Sequence, residues 1–116
     1  MTLKVEADRD VPSSDTVIIR VEGEVDVYTS PRLKQEIMDE LAAGRTRLIV
    51  DLNAVEYLDS TALGVLIGGL KRARERGGDL QLICDNVRIL RIFEITGLTR
   101  IFQIYRSRSE ALAPAT

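Results

Sequence analysis

Asp59, Ser60 and Thr61 stand in line just ahead of an apolar run that begins at Ala62. A carboxylate and two hydroxyls at such a place are helix-capping residues, and either Asp59 or Ser60 could make the cap. A helix N-terminus is also where a phosphate is best tolerated, because free backbone N–H groups and the positive end of the dipole favour negative charge. The other groups that could do chemistry are scattered. Asp26, Asp51 and Asp59 could share a magnesium ion, although carboxylates on strand ends more often cap or solvate. Cys84 ends the apolar run from Leu80, which makes it a small buried hydrophobe rather than a reactive thiol.

Absences narrow the chemistry further. The chain has no histidine, the commonest general base and a frequent zinc ligand, and its one cysteine allows neither a thiolate cluster nor an intrachain disulfide. It contains no G-x-S-x-G elbow and no G-x-x-x-x-G-K-[ST] phosphate loop, and Gly64, Gly68 and Gly69 follow no strand in the order of a dinucleotide fingerprint. An enzyme built on this chain would have few parts. No metal site or cofactor is expected.

The elements that must position Ser60 fit in one domain, 1–116. With 45% hydrophobic and 29% charged residues the balance is that of a globular protein, and a net charge of −2 gives no nucleic-acid footprint. The cluster Lys71, Arg72, Arg74 and Arg76 reads as a solvated helix C-terminus. No apolar run approaches the ~20 residues that span a bilayer and no signal peptide is visible, so a cytoplasmic protein without direct membrane binding is expected.

Leu3, Val5 and Ala7 alternate as in an edge strand, and Val17, Ile19 and Val21 mark a second strand, Thr16 to Val25, paired antiparallel to it. Ser30-Pro31 predicts a helix start with Ser30 as N-cap, and Gly44 can end that helix. Leu48 to Leu52 reads as a short strand buried on both faces, followed by a short loop. A second helix is predicted from Ser60 to Arg76, a strand from Leu80 to Cys84, and a third helix capped by Asp85 or Asn86 and closed by Gly97. A last strand over Ile101 to Tyr105 and a short helix behind Ser107 and Glu110 complete the order ββαβαβαβα. This is an α/β domain with a mixed, mostly parallel sheet of four to five strands and about four helices. Whether the helices cover one face or both is not legible in the pattern.

Along the second helix Leu63, Leu66, Ile67, Leu70 and Ala73 form one apolar stripe. Gly64 and Gly68 lie on the line running down from Ser60, near Lys71 and Glu75. They form a side-chain-free track for a partner, or else fit a tight neighbouring element of the same chain.

Three segments carry a resemblance: Asp59-Ser60-Thr61-Ala62-Leu63-Gly64, Gly23-Glu24-Val25-Asp26 with Thr29 before a helix, and Thr96-Gly97-Leu98. In this order and spacing, from Leu3 to Leu112, the sequence resembles the STAS family, in particular the bacterial anti-sigma factor antagonists. The resemblance implies a single STAS-like domain that is a substrate and ligand rather than a catalyst. It implies that Ser60, with Thr61 as the alternative acceptor, is phosphorylated by an anti-sigma factor with serine kinase activity. The unphosphorylated form would bind that kinase and free a sigma factor, and a PP2C-type serine phosphatase would reset the cycle. ATP and magnesium would belong to the kinase. Asp26, Thr29, Asp59, Thr61, Gly64 and Gly68 are the candidate partner-binding residues, although a loop Asp such as Asp26 could equally make an ordinary turn or cap. The alternative is a STAS module of a membrane transport complex or signalling scaffold without a phosphorylation cycle.

Overall fold

The structure, a computed structural model, describes residues 3–113. Five strands lie in sequence order: β1 (Leu3–Asp8), β2 (Thr16–Val25), β3 (Arg47–Leu58), β4 (Asp79–Ile83) and β5 (Ile104–Tyr105). β1 pairs antiparallel with β2, and the remaining pairs are parallel. The crossovers carry α1 (Ser30–Ala42), α2 (Ser60–Glu75) and α3 (Val87–Ile95), and α4 (Arg108–Leu112) follows β5. Right-handed crossovers that always advance in one direction must put their helices on one face of the sheet.

The packing agrees. Leu33, Ile37 and Leu41 of α1, Leu66 and Leu70 of α2, and Ile89 and Phe93 of α3 share one core with Val17, Ile19, Val21, Leu48, Val50 and Leu82. On the opposite face Ile18, Ile49 and Ile83 meet Ala111 of α4 in a much smaller cluster. Leu48, Ile49, Val50 and Leu52 are therefore all buried, as a strand covered on both faces requires.

Four boundaries depart from the sequence reading. β3 runs six residues past Leu52 instead of giving way to a loop. Beyond Asp51 it loses β4 and pairs with β2 alone, with register shifts between Arg20 and Glu22 and between Gly23 and Glu24. These bulges break the two-residue period, so Asn53, Ala54, Glu56 and Tyr57 do not alternate with apolar neighbours. Gly23, at φ 101°, supplies the backbone freedom one shift needs. The N-cap of α1 is Thr29, not Ser30, which is buried and already helical. The last strand shrinks to two residues because Leu98–Arg100 forms a 3₁₀ turn that drops Phe102 edge-on against Phe93, at a 5.9 Å centroid distance. Finally, β4 begins at Asp79 and ends before Cys84, which is buried as expected. Of the two candidate caps for α3, Asn86 is the one used, its side chain accepting from the Arg88 N–H. Among the described residues no helix is long and apolar enough to cross a membrane.

Candidate functional site

The carboxyl ends of the parallel strands β2, β3 and β4 open on one rim of the molecule. Val25 and Leu58 are register partners, and the Asp59 N–H donates to the Val25 carbonyl at 3.2 Å. This bond fixes the start of α2 against the β2–α1 connection, which brings Asp59-Ser60 beside the loop of Asp26 to Thr29.

Asp59 makes the cap of α2. Its backbone is extended, its Oδ1 accepts from the Ala62 N–H at 3.0 Å, and its carbonyl accepts from the Leu63 N–H at 3.1 Å. Ser60 is thereby placed at the first helical position, exposed, with its hydroxyl spared the capping role. The first amides of the helix have no intrahelical acceptor, so the serine sits at an electropositive backbone terminus. Thr61 is exposed one residue further along.

Asp26 has a different environment. It is only 8% exposed, and its Oδ1 accepts from the Tyr28 N–H at 2.9 Å and the Thr29 N–H at 3.0 Å, with the Thr29 hydroxyl at 3.2 Å. The Thr29 Oγ1 accepts from the Asp26 N–H and faces the Glu24 carbonyl at 2.8 Å, to which it can donate. Burial works against the charged carboxylate, but the Thr29 and Tyr28 amides and the Thr29 hydroxyl outweigh it, and the carboxyl is held below its ordinary range. Asp26 and Thr29 thus build the loop rather than line its outer surface. What they present is Val27 and Tyr28, 56% and 85% exposed.

Sequence reasoning passed over those two residues, and with them Tyr57 and Val87, also exposed on this side at the end of β3 and the start of α3. For Val27 and Tyr28 the signal was available: apolar residues inside a turn segment have no core to enter. Four of the six exposed large hydrophobics of the described chain, Val27, Tyr28, Tyr57 and Val87, lie at the carboxyl ends of the parallel strands or in the segments that follow them, and exposed apolar residues gathered on one side mark an interaction surface.

Gly64 and Gly68 face open space; a Cβ at either would meet nothing within 4 Å. A tight fit against another element belongs instead to their neighbour Gly69, whose Cβ would lie 2.8 Å from Leu80 Cδ1 and 3.1 Å from Ile37 Cγ2. The apolar stripe of α2 faces the sheet, except that Ile67 is only half-buried and Ala62 and Gly69 join the buried side. Gly64 and Gly68 line a groove of about 270 Å³ between α1 and α2. Asp51 lies back along β3, in register with Arg20 and Ile83, and does not join Asp26 and Asp59. Among the described residues no group of three or more His, Cys, Asp or Glu is placed to hold a metal ion.

Comparison with known proteins places this arrangement. The anti-sigma-B factor antagonist of Listeria monocytogenes is 39% identical over 97 residues, covering 84% of this chain and 85% of that protein. The anti-sigma-B factor antagonist of Bacillus subtilis is 38% identical over 92 residues, covering 79% and 84%. The crystal structure of an anti-sigma factor antagonist from Mycobacterium paratuberculosis superposes with a TM-score of 0.84 at 26% identity, over 96% of this chain and 92% of that one. The model of the STAS domain matches residues 6–111. With the strand order, the capped serine helix and this match in agreement, the chain belongs to the STAS domain family.

Proposed function

We propose that this protein is an anti-sigma factor antagonist switched at Ser60. Unphosphorylated, it binds an anti-sigma factor that is also a serine kinase, and a sigma factor is released. Phosphorylation at Ser60 ends the binding, and a PP2C-type phosphatase restores it. The names of the relatives support the antagonist role. The observation that carries the switch is the division of labour at the start of α2. Asp59 takes the capping role, which leaves an exposed serine hydroxyl at the carboxyl end of β3.

A phosphate adds about −1.5 to −2 charge. At a helix N-terminus it is tolerated, since the dipole favours it and Asp59 opposes it only in part. The fold therefore persists and the penalty falls on the interface, where the dianion must be stripped of water or faced with acidic groups. A penalty of ~3 kcal/mol already weakens affinity about a hundredfold. Asp26 and Thr29 act by holding Val27 and Tyr28 outward, and Thr61, Gly64 and Gly68 extend the contact surface down α2.

The test is incubation with an anti-sigma factor kinase and ATP, followed by mass mapping. A single phosphate on Ser60, lost in Ser60→Ala, with an unchanged helical circular dichroism spectrum and lost kinase binding, is the expected result. Modification of Ser60→Ala at the wild-type rate would move the site to Thr61, and loss of helical signal on phosphorylation would refute the interface account.

A further inference from the structure

We propose that the groove between α1 and α2 receives an acidic amphipathic helix of the partner protein. Its apolar side chains would enter over Met38 and the Gly64–Gly68 track, and its carboxylates would meet Lys34 and Arg72. This deepens the reading of the chain as an anti-sigma factor antagonist and rests on it.

The charge of the groove is one-sided. Its lining includes two charged residues, Lys34 from α1 and Arg72 from α2, and both are cations. Both are exposed, and among the described residues neither joins an ion pair. Between them lie Ile37, Met38 and Val65, an apolar floor in which the methionine can adapt to the shape of a visitor. The walls are low because Gly64 and Gly68 carry no side chain and nothing else of the chain fills the space above them. Glycine is among the least favourable residues in a helix interior, so open space at two such positions is not explained by packing within the chain.

The dimensions favour a macromolecule. From Thr61 to Arg72 the α2 wall rises ~16 Å, about three helical turns. The groove holds about 270 Å³, and an apolar stripe with flanking carboxylates matches both its length and its charge. The placement of Thr61 in the lining puts Ser60 at one end of the groove. A phosphate dianion there repels carboxylates at that end of the visiting helix, while those at Arg72, ~16 Å along α2, lie beyond the ~8–10 Å over which salt leaves charges coupled, so the switch acts at the Ser60 end of the groove.

The test compares wild type with the K34E/R72E double variant for binding to the anti-sigma factor kinase, with equal melting temperatures confirming that both are folded. Reversing both charges should weaken binding by about tenfold or more, and lysines in place of the partner's carboxylates should restore it. Equal binding by both proteins overturns the groove and leaves Ser60 standing. Binding lost in the double variant, with no phosphate ever found on Ser60, upholds the groove and overturns the switch. Should no kinase bind wild type, ¹⁵N-labelled protein is titrated with a helical peptide carrying leucines at four-residue spacing between glutamates, and with its lysine-for-glutamate counterpart. Shifts at Lys34, Met38, Gly64, Gly68 and Arg72 with the acidic peptide alone support the proposal. Equal shifts, no shifts, or the same shifts with inorganic phosphate overturn it.

Discussion

Gly68 and Gly69 are adjacent in α2 and opposite in environment. Around Gly68 there is open space, whereas Gly69 is pressed against Leu80 and Ile37. The same contrast separates the two ends of the helix. At the far end the Arg76 guanidinium donates to the Leu41 carbonyl, the Gly78 N–H donates to the Ala73 carbonyl at 2.8 Å, and the backbone of Gly78 lies against Thr46. At the near end Ser60, Thr61 and Gly64 are exposed and carry no such ties to other elements. The helix is thus fixed at both ends, at the near one by the Asp59 N–H on the Val25 carbonyl, but only at the near end are its own first residues left open at the surface. Glycine serves both ends, by admitting a neighbour in the first case and by keeping space clear in the second.

The contrast can be broken by filling the space. The largest effect is expected at the far end. In Gly78→Ala the new Cβ would fall 1.9 Å from the Thr46 carbonyl oxygen and 2.6 Å from its carbon, and backbone cannot yield as a side chain can. A loss of about 3 kcal/mol or more should lower the melting temperature by on the order of 10–20 °C. Gly69→Leu comes next. Leu80 and Ile37 must shift to admit it, and such overpacking costs about 1–3 kcal/mol, measurable by urea denaturation. Gly68→Ala should do the reverse and stabilise the protein by up to about 1 kcal/mol, since it restores helix propensity where nothing is displaced. A destabilised Gly68→Ala would show that the groove is closed in solution and would erase the distinction between the two ends.

Much of this was legible in the sequence, and each failure has its own physical cause. The order of elements followed from periodicity and from glycine and proline punctuation, and the Asp59-Ser60 helix start stood out in the chain. The extension of β3 to Leu58 did not, because two bulges erase the alternation that announces a strand. The distinction between Gly64 or Gly68 and Gly69 could not be read either. A helical period assigns faces, but whether a face meets a neighbour depends on how α1 and β4 pack, and that is tertiary information. Asp26 was expected in a loop, either lining the partner surface or making an ordinary turn, and the structure shows the turn. The sequence does not reveal that its carboxylate is already spent on the amides of Tyr28 and Thr29.

That last point yields the smallest and most discriminating expectation. The Asp26 carboxyl is depressed in the folded protein, so the unfolded chain takes up its proton more readily. Stability from this group is present above the unfolded carboxyl value of ~3.9 and is lost as pH falls through the depressed folded value. Asp8 and Asp15 are also depressed, by the Arg108 side chain and the Ser13 hydroxyl respectively, and share the acid limb. In Asp26→Asn, stability measured by urea denaturation from neutral pH into acid should therefore fall less steeply below the unfolded value than in wild type, and still fall. A limb as steep as wild type would mean that the loop does not depend on this carboxylate. Asp26 would then be free to meet a partner directly, and the line drawn here between residues that build the rim and residues that face outward from it would have to be moved.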